Sequence, residues 1–87
     1  MREINEENQV PVVLQWLNPV NKRYYVIYLA KDLLDEWLLT EAWGNQCTRF
    51  GSSKNVFCQT YETGLSLIEK LKKKRLARGY RLVWPLP

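Results

Sequence analysis

Apolar residues recur with a period near two through the first two thirds of the chain, and the period changes to about 3.6 after residue 60. The run Val10-Pro11-Val12-Val13-Leu14-Gln15-Trp16-Leu17 is short, β-branched and apolar and ends at the turn signal Asn18-Pro19, which predicts a first strand. Arg23-Tyr24-Tyr25-Val26-Ile27-Tyr28-Leu29 predicts a second, because aromatic and β-branched residues fit a pleated surface better than a helix. Charges at Lys31, Asp32, Asp35 and Glu36 interrupt it, and Trp37 to Trp43 reads as the antiparallel return strand of a hairpin. The polar stretch from Gly44 to Lys54 predicts a loop, followed by a short strand over Asn55 to Gln59.

From Thr60 the pattern is helical. Thr60 suits an N-cap, and Glu62 places a negative charge at the positive end of the helix dipole. Tyr61, Gly64, Leu65, Ile68, Leu71 and Leu76 fall on one side of the projection, and Glu69, Lys70, Lys73, Lys74 and Ala77 on the other. Arg75 lies on the apolar side, so its stem is expected to pack while its head stays free. Gly79 fits the position just past the helix end, and Tyr80 to Trp84 forms a last strand before Pro85. The expected fold is α+β: a small, mostly antiparallel sheet with one amphipathic C-terminal helix packed on one face.

A chain of 87 residues holds one core. Residues 1–9 carry three acids and little to bury, which predicts a flexible tail ahead of a single domain over 10–87. Four Trp and five Tyr imply an aromatic core, to which Tyr25, Phe57 and Tyr61 are assigned, with Trp16, Trp37 and Trp84 able to join them. No apolar stretch approaches the roughly 20 residues of a membrane span. The polar, acidic start lacks the pattern of a secretory signal, so a cytoplasmic protein with Cys47 and Cys58 as free thiols is expected.

Several chemistries are excluded outright. There is no histidine, so neither a Ser-His-Asp arrangement nor an imidazole zinc site can form. No phosphate-binding loop is present, and Asp32, Asp35 and Glu36 read as a solvated turn. The expectation is a protein that is not an enzyme and carries no cofactor or metal. Charge is unevenly spread. Met1 to Gly44 holds four basic against seven acidic residues, while Asn45 to Pro87 holds nine against two. A half this basic suits a polyanionic partner.

Asn21-Lys22-Arg23-Tyr24-Tyr25-Val26-Ile27-Tyr28-Leu29, then Trp43-Gly44-Asn45, then Lys72-Lys73-Lys74-Arg75-Leu76-Ala77-Arg78-Gly79-Tyr80 occur in an order and spacing that resemble a WGR domain. The resemblance spans residues 12–84. That family is best known from DNA-dependent poly(ADP-ribose) polymerases, where it recognises DNA ends, and also occurs as short bacterial proteins without a catalytic domain, which this chain resembles more. The resemblance implies a nucleic-acid-binding module for DNA rather than RNA, recognising ends, nicks or single strands. It implies stacking by Trp43 on a base or sugar, phosphate contacts from Asn21 with Lys22 and Arg23 beside it, and a basic contact at Arg75.

Asn45 stands where the family has Arg, which removes a charged fork. The following loop lacks the usual early glycine, so its basic contact is expected at Arg49 or Lys54. Trp43 is expected to be exposed, against the alternative of a core indole. Lys70, Lys73, Lys74 and Arg78 are read as a solvated face that adds field. The alternative function is a protein-interaction module offering the same surface to an acidic protein partner.

Overall fold

In a computed structural model that describes residues 9–48 and 51–86, the chain is an α+β domain. Its elements are β1 (Val12–Leu17), β2 (Arg23–Lys31), β3 (Trp37–Asn45), β4 (Gly51–Cys58), α1 (Tyr61–Ala77) and β5 (Arg81–Trp84). The five strands form one sheet in the order β4-β3-β2-β1-β5, and every neighbouring pair is antiparallel. Because α1 joins the two edge strands, it must cross one face of the sheet. Its first turns pack on Trp37 and Leu29, where the Tyr61 ring lies 4.7 Å from that of Trp37. Its last turns reach Tyr25 and the β1–β2 turn. The crossing is therefore diagonal, and it leaves the corner near the end of β3 and the start of β4 uncovered.

Both helix ends are set by local chemistry. The Thr60 hydroxyl accepts from Thr63 N–H at 3.0 Å. At the other end Gly79 takes φ +87°, Gly79 N–H donates to Leu76 C=O at 3.1 Å, and Tyr80 N–H donates to Arg75 C=O at 3.0 Å. This paired closure needs a residue with a low left-handed penalty, and it swings Tyr80 back beside Arg75. The Asn18 side chain then ties the helix end to the β1–β2 turn: Nδ2 donates to Arg78 C=O at 3.2 Å and Oδ1 accepts from Val20 N–H at 2.9 Å.

The core lies between helix and sheet. Ile27, Leu29 and Leu39 are fully buried, and Trp16, Tyr25, Trp37, Tyr61, Ile68 and Tyr80 surround them. Gly64 lets the helix approach, since a Cβ there would stand 2.8 Å from Leu29 Cδ1. On the other face of the sheet, Tyr24 lies across the paired glycines Gly44 and Gly51: a Cβ on Gly44 would meet the Tyr24 ring at 2.8 Å, and one on Gly51 would meet its hydroxyl at 2.6 Å. The two adjacent tyrosines thus do opposite jobs, Tyr25 in the core and Tyr24 as a cover over glycine.

Several expectations need correction. The loop expected from Gly44 to Lys54 is shorter, because β3 runs to Asn45 and β4 begins at Gly51. As an edge strand wetted on both sides, Gly51–Asn55 has no need of apolar alternation and so looked like a loop. Phe57 is not core but 67% exposed, since its neighbours Val56 and Cys58 take the inward face. Trp84, on the short β5, is also exposed. On α1 the buried stripe is narrower than the projection: Leu65 and Leu76 are exposed, and Leu67 packs instead. The expected tail falls almost wholly on residues outside the described ones.

Candidate nucleic-acid interface

The uncovered corner is a cleft of about 330 Å³ lined by Arg23, Tyr25, Glu41, Trp43, Lys54, Arg75, Arg78 and Tyr80. Strand alternation puts Glu41 and Trp43 on the helix side of β3, with Tyr25 opposite Trp43 and Arg23 opposite Asn45 on β2, and Lys54 opposite Glu41 on β4. Helix α1 contributes Arg75, and the chain just beyond it contributes Arg78 and Tyr80. Four cations thus ring an aromatic floor with one carboxylate in it.

Arg75 is held by rings. Its guanidinium carbon lies 4.1 Å from the Tyr25 ring centre and 5.1 Å from that of Tyr80, which suits a planar, weakly hydrated cation. Its Nε is buried and has no hydrogen-bond partner among the described residues. The head expected to be free is stacked instead, because the helix closure brings Tyr80 over it. Tyr25 hydroxyl donates to Glu41 Oε1 at 2.5 Å. Burial, then the hydrogen bond and charge of Glu41, push the Tyr25 hydroxyl far above the ordinary phenol range, so it stays a donor. Glu41 is 8% exposed, and its Oε2 lies 3.8 Å from Lys54 Nζ.

Trp43 is half-buried: it packs against the edge of the core and opens into the cleft, between the two positions expected for it. A shallower recess continues past it over Arg23, Asn45 and Ser52. The strand geometry joins the Asn21 turn to the Trp-Gly-Asn end. Asn45 Nδ2 donates to Asn21 C=O at 3.2 Å, Gln46 N–H donates to Lys22 C=O at 2.9 Å, and Arg23 N–H donates to Asn21 Oδ1 at 3.0 Å. Lys22 sits at φ 64° in this turn with its side chain exposed. Asn45 Oδ1 also accepts from Cys47 N–H at 2.7 Å, so both ends of its amide serve the turn. Arg49 lies outside the described residues.

Of the residues expected to act, Arg23, Trp43, Lys54 and Arg75 come together in the cleft. Asn45 borders it, while Asn21 and Lys22 stand in the adjoining turn. Glu41 is not singled out by the sequence, Arg78 reads there as part of a solvated face, and Tyr25 is assigned to the core and Tyr80 to the closing motif rather than to the site. Glu41 was discoverable, since a residue two positions before Trp43 shares its face of the strand. Asp32, Asp35 and Glu36 form a turn in which Asp32 Oδ1 accepts from Leu34 and Glu36 N–H, far from the cleft.

No family model matches the chain, and neither a curated protein nor a solved structure matches it. Among the described residues no helix is long and apolar enough to cross a membrane, and no group of three metal-ligating side chains gathers.

Proposed function

We propose that this domain is a non-catalytic module that binds nucleic acid, DNA rather than RNA, at an end, nick or single strand. It needs no cofactor and works in the cytoplasm. The observation that carries the reading is the half-buried Trp43 indole on the floor of a cleft ringed by Arg23, Lys54, Arg75 and Arg78. Cations around one cleft suit phosphates, and an indole beside them suits an unstacked base or sugar. Few side chains are placed to enter a duplex groove, so the structure of the nucleic acid rather than the sequence of a duplex is selected. The WGR-like order of the same residues points the same way.

One observation favours a second reading. Asn45 spends its amide on the turn, and nothing there replaces the charged fork of the WGR pattern. An acidic protein partner needs only the cations of the cleft. Binding to blunt, nicked and single-stranded DNA at several salt concentrations separates the two. Salt-dependent binding with preference for a broken or single-stranded form supports the first reading. Absence of binding to any DNA or RNA at low salt leaves the protein partner.

A further inference from the structure

We infer that Glu41 makes the cleft selective for the base it holds, favouring cytosine, adenine and guanine, which carry an exocyclic amine, over thymine and uracil, which do not. The inference rests on the nucleic-acid reading above and concerns what that site prefers.

A cleft that only gripped phosphates would have no use for a carboxylate on its floor, where like charge opposes the ligand. Glu41 is nonetheless 8% exposed, lines the cleft, and is held firmly. Its Oε1 accepts from the Tyr25 hydroxyl, which fixes the carboxylate plane. Its Oε2 accepts no hydrogen bond among the described residues and lies 3.8 Å from the Lys54 ammonium. Lys54 is an exposed side chain on a flexible stem and can turn to a phosphate when one arrives. That transfer leaves an oriented acceptor in the cleft with nothing to accept from.

The position of that acceptor matters. Glu41 and Trp43 are two residues apart on one strand face, about 7 Å along the chain. A base laid on the Trp43 ring therefore extends its edge to Glu41 while its phosphate meets Arg23 and Arg78 at the rim. Carboxylates accept from the amino groups of bases. Cytosine and adenine offer one such group, and guanine offers an amine beside a ring N–H. Thymine and uracil present a ring N–H flanked by two carbonyl oxygens, which a carboxylate repels.

The test uses single-stranded DNA oligonucleotides identical except for the terminal nucleotide, varied in turn at each end among C, A, G, T and an abasic residue. The expected result is binding roughly tenfold weaker for T than for C, A or G at one of the two ends, as one discriminating contact supplies. Glu41→Gln, which keeps an acceptor for Tyr25, should still bind but bring that ratio close to one. Equal affinity of the wild-type protein for all four bases at both ends overturns the inference and leaves the nucleic-acid reading standing. Failure to bind any oligonucleotide at low salt removes both. Should Glu41→Gln not fold, the wild-type series decides alone.

Discussion

Trp37 and Trp43 stand on the same strand and the same face, six residues apart, and they live in different solvents. Trp37 is 7% exposed, tilted on the Tyr61 ring, with Lys31 Nζ 5.5 Å from its own. Trp43 is half-buried and looks into a charged cleft. Nothing in the residue type or the strand pattern separates them. The path of α1 does: a helix that joins opposite edges of a sheet covers one end of β3 and leaves the other end open. An open cleft arises here from incomplete coverage, with aromatic residues of core type placed where the cover runs out.

The sharpest way to break this contrast is to delete each indole. Trp37→Ala should cost about 3 to 5 kcal/mol of stability, enough to unfold a domain of this size or nearly so. Trp43→Ala should cost well under half of that in chemical denaturation, yet weaken binding to a DNA end by about 1 to 3 kcal/mol with little change in salt slope. Equal destabilisation by the two substitutions would make Trp43 a core residue and remove the cleft as a binding site.

A second test asks whether close helix packing really belongs to the Trp37 end. Gly64→Ala would push a methyl to within 3 Å of the Leu29 side chain and should cost about 1 to 3 kcal/mol by overpacking, without altering the affinity of any ligand of the cleft. Arg49 and Lys54 replaced together by Gln should do the reverse. Stability should fall only modestly, through loss of the exposed Lys54 charge beside Glu41, and the salt dependence should flatten by up to about one unit for each phosphate that is no longer neutralised.

These contrasts were partly legible in the chain. The β2 strand, the Thr60 cap and the Gly79 stop follow from local rules, and the structure has all three. The half-burial of Trp43 was not legible, since it depends on where a helix about 20 residues later crosses. Nor was β4, whose outer half is polar because both its faces are wet. Arg78 looked like one solvated cation among many; it is exposed, as the helix C-cap, but it lines the cleft. Local chemistry was readable; the outcome of non-local covering was not.

The wet end should also answer to pH. Tyr25 has a folded-state pKa far above the ordinary 10.0, so the unfolded chain loses this proton first. The stability that Tyr25 contributes is therefore complete below pH 10 and lost as pH rises beyond it. Tyr25→Phe should lower stability by about 1 to 3 kcal/mol at neutral pH, because Glu41 loses its buried donor, and should reduce the alkaline decline. Denaturation midpoints from about pH 7 to 11, either side of the ordinary phenol value, check both for the two proteins. Parallel curves would show that the Tyr25 hydroxyl contributes no pH dependence.

The smallest effect uses the two cysteines as reporters of the two ends. Cys58 pairs with Trp37 across the strands and is buried, and burial pushes its thiol pKa up. Cys47 is exposed in the turn just past Asn45, beyond the Trp43 end. The two lie at opposite ends of β3, separated by about 26 Å of strand, while a disulfide needs backbones within about 7 Å. No intramolecular bridge can form without unfolding. At neutral pH a thiol reagent in excess should therefore label one cysteine at once and the second only as fast as the Trp37 end opens. Mass spectrometry should place the fast label on Cys47. Bound single-stranded DNA should slow labelling of Cys47 if the ligand extends over the adjoining turn, and of Cys58 only through global stabilisation. Equal, immediate labelling of both thiols would mean that the covered end is no more closed than the open one.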